Sequence, residues 1–273
     1  MSRMASVSDR WWVRSLLGAD RGAWALVRVA EAVRDEVLRA RLSVAEQEAL
    51  TLECYARSTT YGPGGSAFEA GLFPWEELAL AHPRWPRAGR VLLGAAGAGR
   101  EARALAARGH RVSAFEPCAP LVAQGRAQAM SGVNFLAAGY EAWTAARDGS
   151  AWWPADDAPT GVVLGWGSLS HVLEASGRSA LLEATRRLAP GAPVLVSFLV
   201  PWERGARDQQ LRRGLRRVLG TDETGPVWFF STEAGCARLF DLDDIRSLAS
   251  GAGYEVVMAH LSPYGHALLV PRG

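Results

Sequence analysis

Arg90-Val-Leu-Leu-Gly-Ala-Ala-Gly-Ala-Gly-Arg-Glu101 is a short apolar run that empties into small residues and then into a helix-forming segment. It reads as a strand, a tight glycine turn and a helix start. Gly97 and Gly99 lack a Cβ, so backbone there can approach a bound nucleotide closely, and the helix that follows offers its unpaired N–H groups and positive dipole end to such a ligand. A nucleoside cofactor follows from that arrangement. Beyond the helical stretch Glu101 to Arg108 and a second apolar segment, Arg111-Val-Ser-Ala-Phe115, stands Glu116, seventeen residues past Gly99. An acid closing the second strand is placed to grip ribose hydroxyls.

Read literally, Gly97-Ala98-Gly99-Arg100-Glu101-Ala102 satisfies the dinucleotide fingerprint G-x-G-x-x-[GA], so the loop alone leaves a nicotinamide cofactor open. The chain downstream carries more. Gly161-Val-Val-Leu-Gly-Trp-Gly-Ser-Leu-Ser-His171 reads as a fourth strand and its loop. Leu181, Leu182, Thr185 and Leu188 form one helical stripe, Pro190-Gly191 ends that helix, and Val194 to Phe198 is a buried-strand run. Tyr254 to His260, a turn at Ser262-Pro263-Tyr264-Gly265, and His266 to Val270 form a closing hairpin.

In this order the elements resemble class I S-adenosyl-L-methionine (SAM) dependent methyltransferases over about residues 55 to 270. The resemblance implies an α/β fold: a Rossmann-like, mostly parallel seven-stranded sheet with an antiparallel C-terminal hairpin and an N-terminal helical cap. It implies SAM as cofactor, with Gly94, Ala95, Gly97, Gly99, Glu116, Pro117, Tyr140, Trp166, Gly167 and Ser168 as the residues that bind it. Leu93 stands where the family has an acid, and Ala95 where it has its first glycine.

The chain has 273 residues, enough to bury one full α/β domain with an added element. Its net charge of +2 and 49% hydrophobic content give no global field that would favour nucleic acid or a membrane surface. All 30 basic residues are arginine, a coding bias that weakens any argument from arginine enrichment. Cys54, Cys118 and Cys236 lie far apart without metal or disulfide spacing, and no long apolar run or leader pattern appears, so a cytoplasmic location is expected. His82, His110, His260 and His266 likewise lack the spacing of a metal site, and no metal is expected.

Residues 1–88 are too many for a lead-in and are expected to form a helical cap, ahead of a SAM-binding domain over residues 89–273. Trp24, Val27, Ala30, Val33, Val37 and Ala40 recur at the spacing of one helix face and are expected to pack in a core. The aromatic loop Tyr55 to Glu76 supplies Tyr55, Tyr61, Phe68 and Trp75 as candidate substrate-binding residues, because the cap of the resembling family folds over the acceptor. Between Glu203 and Arg217 a charged segment is expected to form a solvated insertion helix, with Leu211, Leu215 and Val218 as its apolar face.

The reading is a methyltransferase acting on an oxygen or nitrogen of a small molecule of the kind met in secondary metabolism, with neither nucleic acid nor membrane as partner. Methyl transfer from a sulfonium asks the protein for positioning, desolvation and, for a hydroxyl or ammonium acceptor, proton removal. His171, in the loop after the fourth strand, is the candidate catalytic base. Two other readings stand beside this one: an NAD(P)-dependent oxidoreductase, favoured by the literal fingerprint but opposed by the closing hairpin, and a non-catalytic SAM-binding scaffold.

Overall fold

A computed structural model describes residues 11–201, 206–221 and 228–273. The strands are β1 (Arg90–Gly94), β2 (Arg111–Glu116), β3 (Val133–Ala137), β4 (Pro159–Leu164), β5 (Val194–Phe198), β6 (Trp228–Ser231), β7 (Gly235–Arg238), β8 (Tyr254–His260) and β9 (Gly265–Pro271). Seven of them form one sheet in the order β3-β2-β1-β4-β5-β9-β8, and β6 pairs with β7 apart from it. From β3 through β5 the neighbours run parallel, whereas β9 is antiparallel to both β5 and β8.

The pleat explains the composition of β1. Successive side chains leave on opposite faces, so both faces of a central parallel strand must be apolar. Val91 and Leu93 enter one cluster with Ala102, Leu105, Val112, Ala114 and Val163. Leu92 enters the other with Phe115, Val162, Leu164 and Val194. Leu93, where the resembling family carries an acid, is thus a fully buried core residue.

The helices are α1 (Trp11–Arg41), α2 (Val44–Arg57), α3 (Ser66–Glu69), α4 (Pro74–Leu80), α5 (Arg100–Ala107), α6 (Ala119–Ala127), α7 (Tyr140–Ala145), α8 (Ala175–Leu188), α9 (Ala206–Leu219) and α10 (Leu242–Gly251). Asp241 caps α10 by accepting from the N–H groups of Asp243 and Asp244, as the Asp241-Leu-Asp-Asp run predicts.

The chain divides into two units: residues 1–43 with 202–225, and residues 44–201 with 226–273. This division differs from the expected boundary at residue 88, since α2, α3 and α4 belong to the sheet-containing unit. In the first unit, α1 packs on α9 through charge: Arg212 reaches Asp35 at 3.0 Å and Arg216 reaches Glu36 at 2.9 Å, with all four side chains buried. The expectation of a packed apolar face on α1 is therefore corrected as well. Trp24, Val27, Val33 and Val37 are exposed, while Asp35 and Glu36 take the interior. Among the described side chains of α9, Arg212 and Arg216 are buried and Val218 is exposed; Glu203 lies outside the described residues.

Candidate active site

At the carboxyl edge of β1, β2 and β4 the chain leaves the sheet in three loops, the place where open α/β sheets take their ligands. The first holds Ala95 and Gly97 at φ 51° and 55°, then Gly99 at 98° as the N-cap of α5. Ala95 adopts the left-handed region despite its Cβ, a conformation that costs roughly 1–2 kcal/mol. Gly97 faces open space, whereas a Cβ on Gly99 would stand 2.6 Å from Met130 Cε. Gly97 thus leaves its backbone accessible, and Gly99 serves helix packing.

Glu116 ends β2 with its carboxylate buried. One oxygen accepts from the Gly97 N–H at 2.9 Å and the other from the Cys118 N–H at 2.8 Å. Each oxygen keeps a lone pair for a further donor. Burial pushes its pKa up to about 7, against the opposing pull of those two N–H groups.

Around these loops lies a cavity of about 430 Å³ lined by residues of the sheet-containing unit alone. That size suits a small organic ligand. Of the residues expected to bind cofactor, Ala95, Gly97, Glu116, Pro117, Tyr140, Trp166 and Ser168 line it, and Gly94, Gly99 and Gly167 do not. Gly94 is needed for packing, since a Cβ there would meet the Phe115 and Tyr140 rings at 2.7 Å. Gly167 turns the β4 loop at φ 71° and donates its N–H to Ser197 Oγ at 2.8 Å. Tyr140 Oη and Ser168 Oγ are hydrogen-bonded at 2.6 Å, which joins the loops after β3 and β4.

Tyr55, Tyr61, Phe68 and His171 also line the cavity. Tyr55 lies against Tyr61 with ring centroids 5.0 Å apart, and Tyr61 against Trp166 at 5.9 Å, which makes one aromatic wall. Trp75 stands outside the lining. It is buried against Tyr264 and His266 and belongs to the core.

Several residues at this site went unremarked in the sequence. Glu48, Thr51 and Leu52 join Tyr55 on the cavity side of α2, a signal that the three- and four-residue spacing already contains. Arg100, buried, donates to both Glu76 oxygens and to Glu101 Oε1 at 2.6 Å each, and to the Gly71 carbonyl at 2.6 Å. That fork ties the segment before α4 to the glycine loop. Glu101 Oε1 in turn accepts from the Trp166 N–H at 3.2 Å, so the β1 and β4 loops share one carboxylate. No local sequence pattern pairs Glu76 with Arg100.

The strand order, with an antiparallel strand inserted between the last parallel strand and the edge, decides the relationship. The chain has the fold of the class I SAM-dependent methyltransferases. The similar solved structures include a Burkholderia thailandensis 1,6-didemethyltoxoflavin-N1-methyltransferase with bound 1,6-didemethyltoxoflavin and S-adenosylhomocysteine, at TM-score 0.56 and 17% identity over 84% of this chain and 89% of that one. A SAM-dependent methyltransferase from Leishmania major matches at TM-score 0.53 and 12% identity over 82% of each chain. Streptomyces venezuelae DesVI matches at TM-score 0.51 and 14% identity over 77% of this chain and 94% of that one. No protein-family profile matches the chain, and no curated protein matches it in sequence.

The methyltransferase fold raises the question whether these residues suit an adenosyl cofactor, and two features say they do. Glu116 holds two buried oxygens with spare lone pairs at the end of β2, as two ribose hydroxyls require. Gly97 leaves uncovered backbone beside it.

Proposed function

We propose that this protein is a SAM-dependent methyltransferase acting on an oxygen or nitrogen of a small molecule. The carrying observation is Glu116, a buried carboxylate braced by one backbone N–H on each oxygen, in the lining of a cavity that it shares with Tyr55, Tyr61 and Trp166. Glu116 would hold the ribose hydroxyls, with Gly97 backbone beside them. Tyr140, Ser168 and Trp166 would line the rest of the cofactor's contact surface. When bound, the cofactor supplies an activated methyl group on a sulfonium, so the protein is left with positioning, exclusion of water and removal of the acceptor's proton.

The residues present suit those tasks. Tyr55, Tyr61 and Trp166 form a water-excluding wall, and the Arg100 fork fixes the segment before α4 against the glycine loop. Small-molecule acceptors fit a cavity of about 430 Å³, and the bound didemethyltoxoflavin of the Burkholderia protein supports that reading by analogy of fold.

Radiolabelled methyl transfer from SAM to a panel of phenols, carboxylates and amines tests the proposal. Label in at least one acceptor class, lowered about 100-fold by Glu116→Ala at SAM concentrations below KM, is expected. SAM binding without transfer to any acceptor would overturn the catalytic reading in favour of a scaffold.

A further inference from the structure

His171 is flanked on both ring nitrogens. Its Nδ1 lies 2.9 Å from the Cys236 carbonyl oxygen and its Nε2 lies 2.9 Å from Tyr55 Oη. A carbonyl only accepts, so Nδ1 carries the proton and donates it to Cys236. Desolvation lowers the pKa of the ring from 6.5, which keeps it neutral at pH 7 and leaves Nε2 with a lone pair. Tyr55 must therefore donate its hydroxyl proton to Nε2.

We propose that Tyr55 is the catalytic residue that takes the acceptor's proton, and that His171 is a positioning residue that works behind it. This rests on the methyltransferase reading above and assigns the proton path within the same site. Because the phenolic proton is committed to His171, the remaining lone pairs of Oη are what Tyr55 offers to an O–H or N–H of an acceptor. As the acceptor's lone pair forms its bond to the methyl carbon, the carbon–sulfur bond breaks with its electrons retained by sulfur. The acceptor's proton passes to Tyr55 Oη, and the phenolic proton passes to His171 Nε2. Tyr55 is neutral before and after, and His171 ends as imidazolium with its Nδ1–H still held by Cys236.

The relay sits in a closed ring of contacts. Thr51, one turn before Tyr55 on α2, accepts from the Cys236 N–H at 3.0 Å and donates to the Gln47 carbonyl at 2.8 Å. Helix α2, the β6–β7 hairpin and the turn Ser168–His171 are thereby fixed to one another around the imidazole. Concerted transfer is required here, because burial pushes the Tyr55 phenol well above its usual 10 and denies it a standing phenolate. The groups facing Tyr55 are Tyr61, Tyr264, Glu116 and Cys54.

The test uses the full chain with ¹⁵N-labelled histidine, His171→Gln to assign the resonance, and saturating S-adenosylhomocysteine. The expected spectrum is the Nδ1–H tautomer with a hydrogen-bonded Nε2. In Tyr55→Phe the Nε2 resonance moves to that of an unbonded ring nitrogen while Nδ1–H stays. An Nε2–H tautomer, or a spectrum unmoved by Tyr55→Phe, would overturn the proposal. With an acceptor that wild type methylates, Tyr55→Phe lowers kcat about 100-fold without changing KM for SAM. His171→Ala removes the acid limb of the kcat profile below pH 6.5. A Tyr55→Phe kcat within about twofold of wild type overturns the assignment to Tyr55. If S-adenosylhomocysteine fails to bind, the methyltransferase reading falls instead, and the tautomer is still read in the free protein.

Discussion

On the proposed reading, in which Glu116 holds the ribose hydroxyls, this carboxylate sets the pH dependence of cofactor binding. Its carboxyl titrates at about 7 in the free protein, and two ribose hydroxyls donating to the ionised form would lower that value in the complex. Affinity for S-adenosylhomocysteine is therefore expected to be flat above about pH 7 and to fall by up to about tenfold per unit below it. Glu116→Ala should cost about 100-fold in affinity, ~3 kcal/mol, and flatten that profile; calorimetry at several pH values reads both. The same group acts on folding with the opposite slope. Between 4.5 and about 7 the folded chain holds a proton that the unfolded chain has lost, so Glu116's contribution to stability declines as pH rises through that window.

At the scale of elements, the β6–β7 hairpin supports the site through the Cys236 carbonyl, which accepts from His171 Nδ1. Gly235 sits at φ 73°, and a Cβ there would stand 2.5 Å from Thr51 Cα, backbone that cannot step aside. Gly235→Ala is expected to destabilise by about 2 kcal/mol and to displace the Cys236 carbonyl from His171, visible as a lowered Tm and a shifted His171 imidazole resonance. The sheet itself was legible in advance. Apolar runs at Val91 to Leu93, Val162 to Leu164 and Val194 to Phe198 declare central strands, and Pro190-Gly191 marks where one helix must end. Glu116 was legible for the same reason, since its place at a strand end is local. The partners of His171 were not: Tyr55 lies 116 residues away and Cys236 contributes only a carbonyl, which no side-chain pattern encodes. Trp75 misleads in the other direction, because an aromatic in a loop-rich segment looks the same in sequence whether it faces a cavity or Tyr264.

Over the whole molecule, the unit built from α1 and α9 follows a different logic from the sheet-containing unit. Among its described residues the buried ion pairs are Asp35 with Arg212 and Glu36 with Arg216, 177 and 180 residues apart in the chain. Helical spacing reports which residues share a face, and α1 is a helix over that whole stretch. What covers that face is a tertiary fact, and here the charged face is the one covered. Arg212→Ala would leave Asp35 and Glu36 buried with a charge removed, at a cost of about 3–5 kcal/mol to that unit. Hydrogen exchange should show lost protection in α1 and α9; protection equal to wild type would assign the pair no structural weight.

The decisive measurement is parallel calorimetric titration of the protein with S-adenosylhomocysteine and NADH. Glu116, the open Gly97 backbone and the strand order together call for one S-adenosylhomocysteine per chain at micromolar affinity and no heat from NADH. Binding of NADH alone would contradict the methyltransferase reading and return the loop at Gly97 to its dinucleotide sense.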